Sequence, residues 1–484
     1  WQETMNGVDS VYLNTYFYAE MAVAKRLLEL SQEYMCTNME GVANEIARME
    51  KKTGVILAEE QRAAVLEAMS CGVLIITGGP GTGKTTTINT ILRLLKDEGC
   101  EVVLAAPTGR AAKRMSEATG VEAQTIHRML ESTFLGEDVR RQTFDRNEEN
   151  PIEADVIIID ETSMVDIMLM HALLRAVAPG TRLIFVGDVD QLPSVGPGNV
   201  LKDMIRSERL KVVRLEHIFR QAQESAIIMN AHRINRGDDP VLNENGTDFF
   251  FVKRAFGEDV VRTIRDLVLT RLPKFTGCDG LRDMQVLTPM RKGVLGVQNL
   301  NTVLQAALNP PSEERAEKEF RQIVFREGDK VMQIKNNYNI AWRMYNAMGK
   351  RCDEGVGIFN GDAGMIREID DANETMQVVF DDGKVVDYDY SQLEELELAY
   401  AITIHKSQGS EYPVVIIPVH SGPPMLMTRN LLYTAVTRAK TLVVLVGIQE
   451  TISAMVNNDR EVGRYTGLAQ RIRNLYDFMA EAGE

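Results

Sequence analysis

Residues 78–85 read GGPGTGKT, a complete G-x-x-x-x-G-K-T string. The flanks of this string constrain the chain more than any other feature. The run before it, Gly72–Thr77 (GVLIIT), is apolar and β-branched, like a parallel strand buried on both faces. The run after it, Thr85–Glu98 (TTTINTILRLLKDE), repeats apolar residues at helical spacing. A strand, a glycine loop and a helix N-terminus in that order make an anion site. Backbone N–H groups of Gly79, Pro80's neighbours, Gly81, Thr82, Gly83, Lys84, Thr85 and Thr86 converge on phosphates, and the helix dipole favours negative charge. In this arrangement Lys84 reaches the β- and γ-phosphates and Thr85 holds Mg²⁺. A chance glycine-rich turn would lack both flanks, so the chain is expected to bind a nucleoside triphosphate.

At 484 residues the chain has room for roughly two to four domains. Its 44% hydrophobic and 25% charged content is that of an ordinary globular protein, which sets aside disordered and fibrous classes. No apolar run approaches a membrane span, and no signal peptide is visible. The chain begins at Trp1, which reads as a fragment of something longer. Cys36, Cys71, Cys100, Cys278 and Cys352 are scattered, with neither C-x-x-C pairs nor histidines at zinc spacing. They read as reduced thiols of a cytoplasmic protein. The net charge of −15 argues against a nucleic-acid binder when taken alone. Affinity follows the phosphate contacts made in a groove, however, not the sum over the molecule.

Residues 1–50 look helical, with Tyr18–Leu30 repeating apolar residues at three and four, and Ala58–Ser70 reads as a further helix. From Gly72 to about Leu215, strand and helix patterns alternate: GVLIIT, EVVLAAP, DVIIID and RLIFVGD are the strands. This is the pattern of a doubly wound parallel sheet. Polar residues 131–152 interrupt it and read as an inserted hairpin with its turn at Leu135–Asp138. A second α/β region is expected from Val212, including Gln285–Thr288, VVIIP and LVVLVG, with a helical end over the last 35 or so residues. Between Phe325 and Leu396, short alternating segments separated by Gly, Asp and Asn turns read as a small all-β barrel. The expected divisions are 1–50, 51–211, 212–324 with 397–484, and 325–396.

The strand DVIIID delivers Asp160 and Glu161. A carboxylate at the end of an apolar strand beside a phosphate loop suits a Mg²⁺ shell, which gives Asp160 that role with Thr85. Glu161 suits a base that activates water, a part a hydrolase needs and a kinase does not. Alone, the pair could equally be acidic first-turn residues of a helix. In VGDVDQLP, Gln191 ends a strand and is placed to sense the γ-phosphate. Arg220 in HIFRQ and Arg438 in YTAVTRAK could neutralise charge developing on that phosphate.

In order along the chain, GGPGTGKT, APTGRAAKRM (Ala106–Met115), TIHRML (Thr125–Leu130), IIIDETSM, GDVDQLPSVGPG, HIFRQ, ITIHKSQGSEY (Ile402–Tyr412) and YTAVTRAK resemble the helicase motifs of superfamily 1. DQLPSVGPG, IHKSQGSE and YTAVTRAK together are most similar to RecD-type helicases, and among these to the stand-alone RecD-like proteins of bacteria lacking RecBC.

The resemblance implies an α/β fold of two RecA-like P-loop domains, with ATP between them and a short helical N-terminal segment. The hairpin insert of the first domain would be a strand-separating pin, and the β insert of the second a barrel of the SH3 type. It implies a DNA helicase moving 5′ to 3′ on single strands, a monomeric motor acting at single-strand/duplex junctions in DNA repair or recombination, with ATP and Mg²⁺ and without a membrane. Gln61 falls on the family's adenine-reading glutamine, and Glu411 where a carboxylate can meet the ribose. DNA contacts carry over to Pro107, Thr108, Thr125, His127, Thr288, Pro289, Thr403, His405 and Ser407, mostly hydroxyl or backbone donors that hold phosphate without a basic surface. On their own residues, His127 and His405 could equally be structural. The family's helix-hairpin-helix region would lie upstream, the pin is short, and Thr162 stands where small residues are common. The rival classes are a nucleotide-switch ATPase without motor activity, a helicase of opposite polarity or acting on RNA, and a non-catalytic subunit.

Overall fold

The computed structural model describes residues 1–5, 7–34, 39–134, 142–244, 246–346, 348–460 and 463–482. The chain forms two units, Trp1–Glu224 with Val462–Glu484, and Ser225–Glu461.

The first unit opens with an antiparallel hairpin, β1 (Gln2–Met5) and β2 (Val8–Val11). A wholly helical 1–50 is therefore corrected at its start. The signal was the Asn6-Gly7 dipeptide, since four-residue strands are too short to announce themselves by alternation. Then come α1 (Asn14–Glu33), α2 (Met39–Thr53), α3 (Glu59–Ser70), β3 (Val73–Gly78), α4 (Lys84–Asp97), β4 (Val102–Ala106), α5 (Gly109–Thr119), β5 (Ala123–Thr125) and α6 (Ile126–Met129). The expected insert begins as β6 (Ser132–Phe134) and β7 (Gln142–Phe144), paired antiparallel with Ser132 opposite Phe144. The turn foreseen at 135–138 lies outside the described residues. There follow β8 (Val156–Ile159), α7 (Ile167–Arg175), β9 (Arg182–Gly187), α8 (Val200–Ser207), β10 (Lys211–Leu215) and α9 (Arg220–Gln223).

Six of these strands form one sheet in the order β10-β3-β9-β8-β4-β5, with every pairing parallel. Strand β3 explains why both faces are covered. Val73 and Ile75 enter a core with α1, α7 and α8, while Leu74 and Ile76 enter another with α3 and α4. An unbroken apolar run is what period-two alternation between two buried faces requires.

The second unit runs α10 (Ala226–Arg236), β11 (Phe249–Lys253), α11 (Gly257–Asp266), α12 (Leu272–Thr276), β12 (Met284–Thr288) and α13 (Val297–Leu308). An all-β insert follows: β13 (Glu317–Phe320), β14 (Ile323–Arg326), β15 (Lys330–Gln333), β16 (Asn337–Tyr345), β17 (Arg351–Ile358), β18 (Ala363–Asp370), β19 (Thr375–Phe380), β20 (Val385–Asp389) and β21 (Leu396–Leu398). Strands β15–β21 form a seven-stranded antiparallel sheet, and β13–β14 a separate hairpin. The α/β pattern then resumes with β22 (Ala401–Thr403), β23 (Tyr412–Val419), α14 (Arg429–Val436), β24 (Ala439–Gly447) and α15 (Gln449–Asn457). Its parallel sheet has the order β11-β24-β23-β12-β22. Asp329, at the foot of the insert, is a buried carboxylate that accepts from Gln305 of α13 (2.6 Å), from Asn309 just past its end (2.7 Å) and from the Tyr400 hydroxyl (2.7 Å). It fastens insert to core.

Two expected boundaries move. Residues 212–215 belong to the first unit, because β10 pairs with the phosphate-loop strand β3. The chain's last helix, α16 (Leu468–Ala482), also belongs there: Leu468 and Ile472 join the core of α1, α7 and α8. An amphipathic helix announces that it has an apolar face, not which sheet the face covers.

Candidate functional site

The phosphate loop spans the end of β3 and the start of α4. Gly81 and Gly83 have φ of +74° and +79°, a backbone that favours glycine. The loop braces itself: Thr82 Oγ1 donates to the Gly79 carbonyl at 2.9 Å. Lys84 Nζ lies over the loop and donates to the carbonyls of Gly78 and, at 3.0 Å, Gly79. Thr85 and Thr86 are exposed at the helix start. Gln61 is buried against the loop, its amide donating to the Gly83 carbonyl at 3.1 Å while its oxygen accepts from Ala58 N. A Cβ on Gly83 would lie 2.3 Å from Gln61 Nε2 and 2.9 Å from the Phe219 ring. Phe219 N donates to the Gly81 carbonyl at 3.4 Å, so the exposed Arg220 that follows stands beside the loop.

Asp160 and Glu161 stand at the end of β8, separated from β3 by β9 alone. Burial, with the Glu161 charge second, raises the Asp160 pKa, while Arg114 and Lys84 oppose the rise. Glu161 itself has φ 52° and ψ 40°, a left-handed conformation costly to a side-chain-bearing residue. Arg114, on α5, pairs with the buried Glu161 carboxylate and lies 3.9 Å from Asp160 Oδ2. Arg114 was not singled out from sequence, although it stands inside the Ala106–Met115 run. Nothing in spacing tells that a residue 47 positions from Glu161 meets it. Burial and the Glu161 charge disfavour the ionised Asp160, which a divalent cation would stabilise, so Asp160 with Thr85 at the helix start suits a Mg²⁺ site.

Gln191 does not project from the fold. Its amide donates to the buried Asp188 carboxylate at 3.1 Å, and Val189 N donates to Thr77 Oγ1 at 3.2 Å, tying this loop to the phosphate-loop strand.

The expected DNA contacts fall at matching places in the two sheets. In the first they end the edge pair β4–β5, where Ala106 is opposite Thr125; in the second they end the edge pair β12–β22, where Thr288 is opposite Thr403. Thr108, Thr125 and Thr403 share one local geometry. Each hydroxyl oxygen accepts from the amide three residues on, at 3.2, 3.1 and 3.3 Å, which leaves its own O–H to donate outward. Pro107 and His405 are half-buried beside them.

The hydroxyls of Thr288 and Ser407 differ. Both are fully buried and donate within the fold, to Leu295 O (2.6 Å) and Ile404 O (2.7 Å), which leaves only their backbone to face a ligand. Pro289 is buried as well. His127 is half-buried with its pKa lowered by burial, making it a neutral ring rather than a cation. In the second unit, Arg438 is held inside by the carbonyls of Thr434 (3.3 Å) and Ser410 (3.2 Å), and Glu411 lies 3.5 Å from Lys440.

Residues 56–248 match a family model described as an AAA domain, 300–380 one described as the ATP-dependent RecD-like DNA helicase SH3 domain, and 398–446 one described as the UvrD-like helicase C-terminal domain. The chain is 35% identical over 96% of its length to the ATP-dependent RecD2 DNA helicase of Deinococcus radiodurans, and spans 59% of that relative. It is 32% identical over 96% of its length to the RecBCD enzyme subunit RecD of Mycolicibacterium smegmatis, and covers 82% of it. Among solved structures, Bacteroides Pif1 bound to ssDNA aligns over 88% of this chain and 97% of its own, at 19% identity and a TM-score of 0.46. With its motifs in order and a RecD subunit matched over most of both lengths, the chain belongs to the RecD-type family of superfamily 1 DNA helicases.

Proposed function

We propose that this chain is an ATP-driven motor that moves 5′ to 3′ on single-stranded DNA and separates duplex at junctions. The observation that carries this reading is the cluster of Lys84, Asp160, Glu161 and Arg114 at the carboxyl ends of β3 and β8, the mouth of a parallel sheet. The names of the Deinococcus and Mycolicibacterium relatives support the substrate class.

Lys84 binds the β- and γ-phosphates, and Gln61 reads the base from beneath the loop. Thr85 and Asp160 would hold Mg²⁺, which would screen phosphate charge. Glu161, released from Arg114, takes the proton of the attacking water. Gln191 responds to the γ-phosphate, and Arg220 and Arg438 neutralise charge on it, with Glu411 at the ribose. Arg438 must first leave its carbonyl partners. Pro107, Thr108, Thr125, His127, Thr403 and His405 grip the DNA backbone, with Pro289, Thr288 and Ser407 shaping the second grip through their backbone. The β6–β7 hairpin is the wedge. The motor is proposed to work as a monomer in the cytoplasm, in DNA repair or recombination.

The test uses duplexes with a 5′ or a 3′ single-stranded tail, alongside ATP turnover with and without single-stranded DNA. Unwinding of the 5′-tailed duplex, DNA-stimulated turnover, and loss of both in Lys84→Ala are expected. Unwinding of the 3′-tailed duplex alone reverses the polarity, and turnover indifferent to DNA supports a nucleotide switch.

A further inference from the structure

The loop after Gln191 makes an unusual set of contacts with the end of the chain. The segment that re-enters the first unit after Glu461 carries Arg464. Its guanidinium donates to four acceptors in one turn: the Ser194 carbonyl, Ser194 Oγ at 3.2 Å, Gly196 O at 2.6 Å and Gly198 O at 2.6 Å. On its other side the same turn is pressed onto the element leading from Glu161. Ile167 N donates to the Pro197 carbonyl at 3.0 Å, and a Cβ on Gly196 would lie 2.0 Å from Asp166 Oδ2. Three carbonyls turned to one point repel each other unless a cation satisfies them together, and a planar guanidinium does so with several N–H bonds at once. Residues 194–198 are thus held between α7 and Arg464.

We propose that Arg464 is a positioning residue for ATP hydrolysis. It fixes the Ser194–Gly198 turn, and through it the placement of Gln191 and Asp188. Its guanidinium acts on the turn after Gln191, so its effect falls on turnover rather than on nucleotide binding. The proposal rests on the motor reading above, in which Gln191 answers to the γ-phosphate.

The experiment compares wild type with Arg464→Ala and Arg464→Lys. It measures KM and kcat for ATP with and without oligo-dT, affinity for a fluorescent ATP analogue, and deuterium uptake over residues 188–198. A nucleotide affinity within about twofold of wild type, kcat reduced about tenfold or more, a diminished response to oligo-dT and faster exchange over 188–198 are expected for the alanine variant, because a small misplacement of a catalytic group is costly. Arg464→Lys keeps the charge without the fork and is expected between the two. Unchanged kcat and exchange in a variant that melts like wild type overturns the proposal, as does a raised KM with unchanged kcat. Should the alanine variant not fold, the lysine variant decides by the same criteria. A wild-type chain whose turnover ignores oligo-dT counts against the motor reading, while basal kcat and deuterium uptake still decide the role of Arg464.

Discussion

Glu161 is held in a backbone conformation that costs about 1–3 kcal/mol for a residue with a side chain. Its carboxylate is buried and its charge is met by Arg114. Changing Glu161 to Gln keeps the shape and removes the base. Nucleotide affinity is expected to survive, while turnover falls about a hundredfold or more. Fluorescent-nucleotide titration beside an ATPase assay separates the two effects. Arg114→Ala leaves the buried carboxylate without its counter-charge and is expected to cost roughly 2–3 kcal/mol in a urea melt, since one partner of the pair is still partly wet. The placement of Lys84 and Gln61 at the loop and of Asp160 at a neighbouring strand end was legible because motif and local order coincide there. Arg114 was not, because an ion pair across a sheet leaves no spacing in the sequence. Nor was the inward turn of the Thr288 and Ser407 hydroxyls, since the residue type does not say which way a side chain faces.

Elements meet at a few positions that allow no added atom. Gly72, before β3, would place a Cβ 2.0 Å from the Leu30 carbonyl of α1. Gly72→Ala is therefore expected to push helix and strand apart and destabilise the first unit by about 2 kcal/mol or more in a thermal or urea melt. At the other side of that helix, one hydroxyl joins three elements. Thr466 Oγ1 lies 2.9 Å from both Glu20 of α1 and Asp203 of α8, and it has a single proton to give. One carboxyl must carry a proton of its own. Burial raises the Asp203 pKa from 3.8 to about 6, against Lys202 and Arg206 and helped by the Glu20 charge. Glu20 is also met by Arg471, which in turn pairs with Glu3 and lies over the Tyr12 ring. Asp203 therefore binds its proton more tightly folded than unfolded. Its contribution to stability is complete below about pH 4 and is lost as pH rises through about 6. Asp203→Asn resembles the protonated form. Its melting temperature is expected to exceed that of wild type at pH 8 by roughly 2–6 °C and to match it only near pH 4. Differential scanning fluorimetry across that range checks both points.

At the scale of the molecule, the net charge of −15 and the choice of outward hydroxyls at Thr108, Thr125 and Thr403 go together. If the proposed hydroxyls hold the DNA, few cations meet its phosphates and few counterions are released on binding. A plot of log affinity for oligo-dT against log salt is expected to be shallow, with a slope of about −1 to −3. A slope near −8 would mean a basic groove that these residues do not describe. The two parallel sheets and the β insert were legible because long apolar runs and period-two alternation are local signals. The allocation of β10 and α16 was not, because it is decided by which partner each finds. That allocation has a bearing on how the chain is made. Residues 225–461 interrupt the first unit, and its core is completed by Leu468 and Ile472, which leave a ribosome only after the whole second unit. The second unit has all its residues available while the first still exposes the faces of α1 and α8. A nascent chain stalled before residue 463 would hold one finished unit and one open one, which makes synthesis of the stretch that re-enters the first unit the step at which that unit most needs a chaperone.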